Sequence, residues 1–165
     1  MRDAQRILRE LKKLRTENSD DIWLKSEDDD IRHWIGMIKG PEDTPFYNHY
    51  FKIDIVIPEG YPIEPPHAKF ITKIFHPNIN FKDGTICLDI LKTEWTPAWG
   101  ITSLCTAIRI LLGQPVPDSP LNTLAGNLLR EGDTVGYNSM ASMYAKMYAS
   151  TKNTLREEDM LQSNA

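Results

Sequence analysis

One thiol in this sequence keeps company that chemistry could use. Cys87 follows the tripeptide His76-Pro77-Asn78 by nine positions and precedes the turn Trp95-Thr96-Pro97, in the run HPNINFKDGTICLDILKTEWTPAW. A cysteine sulfur takes an acyl group from another thioester with little change in free energy and keeps the carbonyl activated for the next attack. A serine there would hold a stable ester instead. Two other readings compete on the residues alone. Between Ile86 and Leu88, Cys87 also fits a small buried core residue. A histidine placed to take the thiol proton would make a cysteine hydrolase, and His76 could be claimed for that role. Cys105 sits on the apolar face of a helical repeat, where it reads as core.

Two cysteines make no disulfide framework, and they match no zinc spacing with His33, His49, His67 or His76, so a reducing intracellular setting fits. The 165 residues are 41% apolar and 25% charged, which suits one soluble globular domain. No apolar run approaches the roughly 18 residues of a membrane span, and Met1-Arg2-Asp3 leads straight into amphipathic sequence instead of a signal peptide. A net charge of −4 does not point to nucleic acid. The charge is uneven, however: six Lys/Arg against Asp3 and Glu10 give residues 1–15 a net +4, leaving −8 on the rest. A basic helix sits on an acidic body.

Stepping along the chain at 100° per residue places Ala4, Ile7, Leu8, Leu11 and Leu14 on one side of a first helix and Arg2, Arg6, Arg9 and Lys13 opposite. Strand-like segments follow at 21–25, 31–39, 50–57 and 67–71. In the third, Phe51, Ile53, Ile55 and Ile57 alternate with Lys52, Asp54 and Val56, as a sheet with one covered face requires. Turns at Glu27-Asp28-Asp29-Asp30 and Gly40-Pro41-Glu42-Asp43 make these an antiparallel meander. Four prolines between Pro58 and Pro66 predict a stiff solvent-facing loop, with Tyr61-Pro62 a candidate cis bond. Ile101, Leu104, Cys105, Ile108, Leu111 and Leu112 repeat as a buried helix that Gly113 ends. Leu121, Leu124 and Leu128 suggest a short helix. Asp133 caps a last one whose buried face is Tyr137, Met140, Ala141, Tyr144 and Tyr148. Trp34 and Trp95 read as packing residues. Helix, sheet and helices in that order predict one α+β domain.

The order of these motifs resembles the active-site segment of the ubiquitin-conjugating enzymes, and the likeness runs from the basic helix through YPIEPP to PDSPLN and the last helix. It covers residues 1–149 as a catalytic core, with 150–165 a polar tail that is either a helical extension or frayed. The resemblance implies the ubiquitin-conjugating fold: an N-terminal helix, a four-stranded antiparallel meander, then helices packed on the sheet. It makes Cys87 the nucleophile, and gives His76 and Pro77 a loop-structuring role. In this family the asparagine, here Asn78, steadies the oxyanion of the tetrahedral intermediate or fixes the active-site loop; an amide aimed at such charge is worth about 3 kcal/mol. Ser119 lies where many relatives carry an aspartate that orients and deprotonates the incoming lysine. A hydroxyl is a far poorer proton acceptor. The bland alternative for Ser119, followed by Pro120, is a helix N-cap.

Ile63, Pro97 and Ala98 match the shallow site that RING ligases contact, while Arg6 and Arg9 match basic positions that meet the activating enzyme and border the ligase site. The step from Asn78 to Cys87, one longer than the commonest pattern, is similar to the peroxin-type branch, which PDSPLN, AGNLLREGD and YNSMASMY also resemble. That branch implies as partners ubiquitin, its activating enzyme, a RING ligase, a membrane-anchored recruiting protein and, as acceptor, a peroxisomal import receptor. It places the chain in the cytoplasm, at the cytosolic face of the peroxisome membrane. The C-terminal Gln162-Ser163-Asn164-Ala165 is no peroxisomal import address. No metal or other cofactor is expected, since ATP is used upstream by the activating enzyme. Rival readings are conjugation of another ubiquitin-like modifier, a general-purpose conjugating enzyme, a non-catalytic ubiquitin-binding variant and the cysteine hydrolase.

Overall fold

The computed structural model describes residues 2–17, 19–87, 89 and 93–165. Helix α1 (Arg2–Glu17) is followed by strands β1 (Ile22–Glu27), β2 (Asp30–Lys39), β3 (Tyr50–Val56) and β4 (His67–Phe70). Helices α2 (Ile101–Gly113), α3 (Thr123–Arg130), α4 (Thr134–Tyr148) and α5 (Thr154–Ser163) come after the sheet. The strands pair antiparallel in chain order, which is the expected meander. Asp28 and Asp29 turn the β1–β2 hairpin at φ of 50° and 57°, a left-handed conformation that short polar side chains tolerate.

Period-2 alternation decides what each strand shows to the core. Phe51, Ile53, Ile55 and Ile57 are buried, while Lys52, Asp54 and Val56 face the other way. On β1 the two faces are both covered. Ile22 and Leu24 join the main core, whereas Trp23 turns outward to a second cluster with Met37, Tyr50 and Leu155. Helices α1 and α2 supply the main core. Ile101, Leu104, Cys105 and Ile108 are fully buried, and each large side chain contributes about 1.5–3 kcal/mol by leaving water.

Three elements differ from the periodic reading. On α1 only Ile7, Leu11 and Leu14 are buried; Leu8 lies at the edge of the stripe and is 52% exposed. On α4 the deeply buried residues are Tyr137, Ala141 and Ala145, with Met140 and Tyr144 packed at the margin and Tyr148 outside. The helix rotates its small residues inward because alanines let it approach the core. The proline-rich loop holds a cis Tyr61–Pro62 bond and is not wholly solvent-facing: Tyr61 is buried while Ile63, two residues on, is 79% exposed.

The polar stretch after Ser150 forms α5, capped by Asn153, whose Oδ1 accepts from the Arg156 N–H at 3.2 Å. Leu155 and Asp159 dock it. The Asp159 carboxylate accepts from Trp23 Nε1 at 2.9 Å and lies 3.4 Å from both Arg15 and Lys25. Among the described residues no helix is long and apolar enough to cross a membrane.

Candidate active site

The tripeptide 76–78 is the keystone of the site, and each of its residues holds something different. His76 is wholly buried, with Nε2 at 2.8 Å from the Leu111 carbonyl and Nδ1 accepting the Asn78 N–H at 3.0 Å. A carbonyl only accepts, so Nε2 carries the proton and the ring is neutral. Burial pushes its pKa down to about 4, against the opposing pull of the Leu111 carbonyl. With one nitrogen protonated and the other occupied, His76 has no lone pair left for a thiol proton. The hydrolase dyad is thereby removed for His76.

Pro77 offers its carbonyl to the Leu121 N–H at 2.8 Å and the Asn122 N–H at 3.1 Å. Asn78 donates from Nδ2 to the Val116 carbonyl at 2.7 Å and accepts the Val116 N–H on Oδ1 at 2.8 Å. The side chain is buried and mimics a strand partner. Segment 114–122 is thus sewn to the tripeptide at both ends. Ser119 lies between those two attachments, exposed, at φ +50°.

Ser119 does not cap a helix. The cap of α3 is Asn122, whose Oδ1 accepts the Ala125 N–H at 3.1 Å. The amides of Leu121 and Asn122, which a Ser119 cap would need, belong to Pro77. Ser119 is left free of capping duty.

Cys87 is exposed and Cys105 is buried. The backbone N–H of Cys87 donates to the Asn78 carbonyl at 2.8 Å, and the preceding Ile86 is buried opposite Ile79. Strand alternation sends Ile86 inward and the thiol outward. Among the described residues none hydrogen-bonds the Cys87 sulfur. Cys105 is inert by contrast, its thiol pKa pushed up to about 12 by burial.

The longer loop between Asn78 and Cys87 is absorbed in a self-bonded turn. Asn80 Oδ1 accepts the Lys82 and Asp83 amides at 2.9 and 3.2 Å, and Asp83 Oδ1 accepts from Thr85 at 2.9 Å. The Thr85 bonds hold the Asp83 carboxyl below the usual carboxylate range. Gly84 closes the turn at φ +76°, and a Cβ there would sit 1.8 Å from the Phe70 carbonyl oxygen. The turn closes between Asn80 and Thr85, and the Ile79–Ile86 pair stands between it and the thiol.

A second region contains the residues expected to dock the ligase and the activating enzyme. Trp95 Nε1 donates to the Pro62 carbonyl at 2.8 Å, and its ring lies 6.1 Å from that of Tyr61, which ties the loop of exposed Ile63 to the one bearing the exposed Pro97 and Ala98. Arg6 is not free there. Its guanidinium bonds Glu10 at 2.7 Å and the Trp99 carbonyl at 2.6 Å, over the Tyr61 ring. Arg9 stays exposed.

Glu10 is the residue sequence reasoning missed. It takes the Tyr61 hydroxyl at 2.8 and 2.9 Å, Arg6, and the Ile101 N–H at 2.8 Å, where its charge suits the N-terminus of α2. Only the i, i+4 spacing to Arg6 is visible beforehand. Among the described residues no three His, Cys, Asp or Glu side chains gather to hold a metal ion.

Comparison with known proteins agrees with this geometry. A family model described as ubiquitin-conjugating enzyme matches residues 6–145. The chain is 50% identical over 146 residues to the Ubiquitin-conjugating enzyme E2 pex4 of Dictyostelium discoideum, covering 88% of this chain and 98% of that protein. It is 49% identical over 149 residues to the Protein PEROXIN-4 of Arabidopsis thaliana, covering 89% and 95%. Among solved structures, H. polymorpha ubiquitin conjugating enzyme Pex4p in complex with the soluble domain of Pex22p superposes with a TM-score of 0.85 at 34% identity, covering 90% of this chain and 98% of that one. The chain therefore belongs to the ubiquitin-conjugating enzyme family, on the side of its peroxin-type members, and is a transferase of the class that works through a cysteine thioester.

Proposed function

We propose that Cys87 receives the ubiquitin C-terminus from the activating enzyme and passes it, with a RING ligase, to an acceptor that is a peroxisomal import receptor. The exposure of Cys87, in contrast to the burial of Cys105, carries the assignment of the sulfur. In transfer the acceptor nitrogen or sulfur bonds the carbonyl carbon, the carbon–sulfur bond breaks, and Cys87 leaves as thiolate while the acceptor's proton passes to water. Asn78 acts here by tying segment 116–122 to the backbone that bears the thiol, since its amide is engaged on Val116 and its carbonyl accepts the Cys87 N–H. Ser119, exposed in that segment, faces the acceptor without a carboxylate's basicity.

The similarity to a Pex4p solved with a soluble domain of Pex22p supports recruitment by a membrane-anchored protein to the cytosolic face of the peroxisome. The basic stripe with exposed Arg9 suits the activating enzyme, and Ile63, Pro97 and Ala98 suit the ligase. No nucleotide is held by this chain in this reading; ATP is consumed upstream.

The test is a loading reaction. With activating enzyme, ATP and ubiquitin, a reductant-sensitive adduct is expected that Cys87→Ala abolishes and Cys105→Ala retains. An adduct only with another modifier, or one that survives Cys87→Ala, overturns the proposal. Copurification of the tagged chain with a peroxisomal membrane protein checks the recruitment.

A further inference from the structure

A groove of about 440 Å³ opens beside the reactive loop, and nothing in the transfer as described uses it. Its floor is aromatic: Phe75 and Phe81 both pack on Tyr144, with ring centroids 5.7 and 4.9 Å apart. Leu121 and Leu124 line one wall and are 40% and 51% exposed, while Lys82 stands on the opposite rim. The lining holds this one charge and no acidic side chain. Lys82 makes no ion pair among the described residues, and the neighbouring Asp83 carboxylate is engaged by the Thr85 amide at 2.9 Å.

The two walls are the two segments tied to the thiol. Leu121 donates to the Pro77 carbonyl at 2.8 Å. On the other side, Asn80 pairs with Thr85, two residues beyond the 2.8 Å bond between Cys87 and Asn78. At about 3.3 Å per extended residue the groove begins roughly 7–10 Å from Cys87. An acceptor chain lying along these two segments on its way to the thiol would cross it.

We propose that this groove is an acceptor-recognition subsite, taking an apolar side chain of the acceptor polypeptide about three residues from its nucleophile, with an acidic residue beside that anchor for Lys82. Continuity with the thiol identifies the occupant as the acceptor, and the lone lysine in a groove without carboxylates sets its charge. The subsite rests on the reading of Cys87 as acyl carrier. It adds sequence preference to a site whose chemistry is otherwise indifferent to the acceptor's neighbours. An exposed pair with Lys82 changes discharge by up to about fivefold, and salt weakens it, whereas the apolar anchor contributes about tenfold.

The experiment loads the full chain with ubiquitin and follows single-turnover discharge to nine-residue peptides with a central cysteine. The peptides carry Phe or Ala three positions before or after that cysteine, each flanked by Glu or by Lys. Free cysteine is the reference acceptor, and the ratio of peptide to free-cysteine rates is the readout. At one of the two positions Phe with Glu is expected to give about tenfold over Ala. Leu124→Asp removes that advantage, and Lys82→Glu inverts the preference from Glu to Lys. Equal ratios for all peptides, or a Glu preference untouched by Lys82→Glu, overturn the subsite while leaving the carrier reading intact. Failure to load Cys87 overturns both.

Discussion

Asn78 uses both ends of one amide on the backbone of Val116, a commitment that separates anchoring from direct charge stabilisation. Asn78→Ala is expected to lose two hydrogen bonds of about 1 kcal/mol each and to speed exchange of the Val116 amide. Urea unfolding and hydrogen exchange read both. A fall of more than 100-fold in discharge with stability and exchange unchanged would mean that the amide serves the oxyanion instead. Ser119 is already in the left-handed region at φ +50°, which aspartate tolerates, so Ser119→Asp supplies a carboxylate without refolding the segment. It is expected to speed discharge to free lysine more than to a free thiol. Equal effects on both would count against a proton-accepting role at this position. That Cys87 is the exposed thiol of the two agrees with its place in the motif, which singled it out in the sequence. Its exposure came from the neighbouring Ile86–Ile79 pair, because a one-residue slip would have reversed the two faces.

At the scale of elements, α5 shows how a polar tail becomes structure. Its few apolar residues include Leu155, which finishes the outer cluster of Trp23, Met37 and Tyr50, and Asp159 supplies the acceptor for the Trp23 indole. Asp159→Asn keeps that acceptor and loses only partly exposed ion pairs with Arg15 and Lys25, for an expected cost below about 1 kcal/mol. Asp159→Ala also leaves a buried indole N–H without a partner and costs about 1–2 kcal/mol more. Equal urea midpoints for the two variants would contradict this account. Helix starts divide by the same physics. Asp133 was readable as a cap because its bond to the Gly136 N–H is local, at 2.8 Å. The cap alternative at Ser119-Pro120 falls because the Pro77 carbonyl claims the amides that a local cap would have satisfied.

For the whole molecule, the buried neutral His76 links stability to pH. Its folded pKa of about 4 lies below the ordinary 6.5, so the unfolded chain takes up a proton that the folded chain refuses. The stabilisation is complete above pH 6.5 and drains away as pH falls from 6.5 toward 4, by about 3 kcal/mol. His33 does not compete in that window. Its bond to Asp54 raises its pKa, so its contribution is full below 6.5 and fades as pH rises through the folded value. Urea unfolding at pH 7, 6 and 5 should show the decline, and His76→Gln should flatten it. A wild-type midpoint constant from pH 7 to 5 would refute the assignment.

Periodicity, caps and turn residues act over one to four positions, so the sequence by itself determined the helix–sheet–helices order, the inward faces of β3 and α2, and which thiol carries a reactive-site motif. Long-range partners were decided only by tertiary packing: Val116 for Asn78 across 38 residues, Asp159 for Trp23 across 136, and Glu10 for the Ile101 amide across 91. A polar group accepts any partner of suitable geometry, and which one arrives depends on how the apolar faces stack. The tautomer of His76, the freedom of Ser119 and the groove beside Cys87 are all products of that stacking.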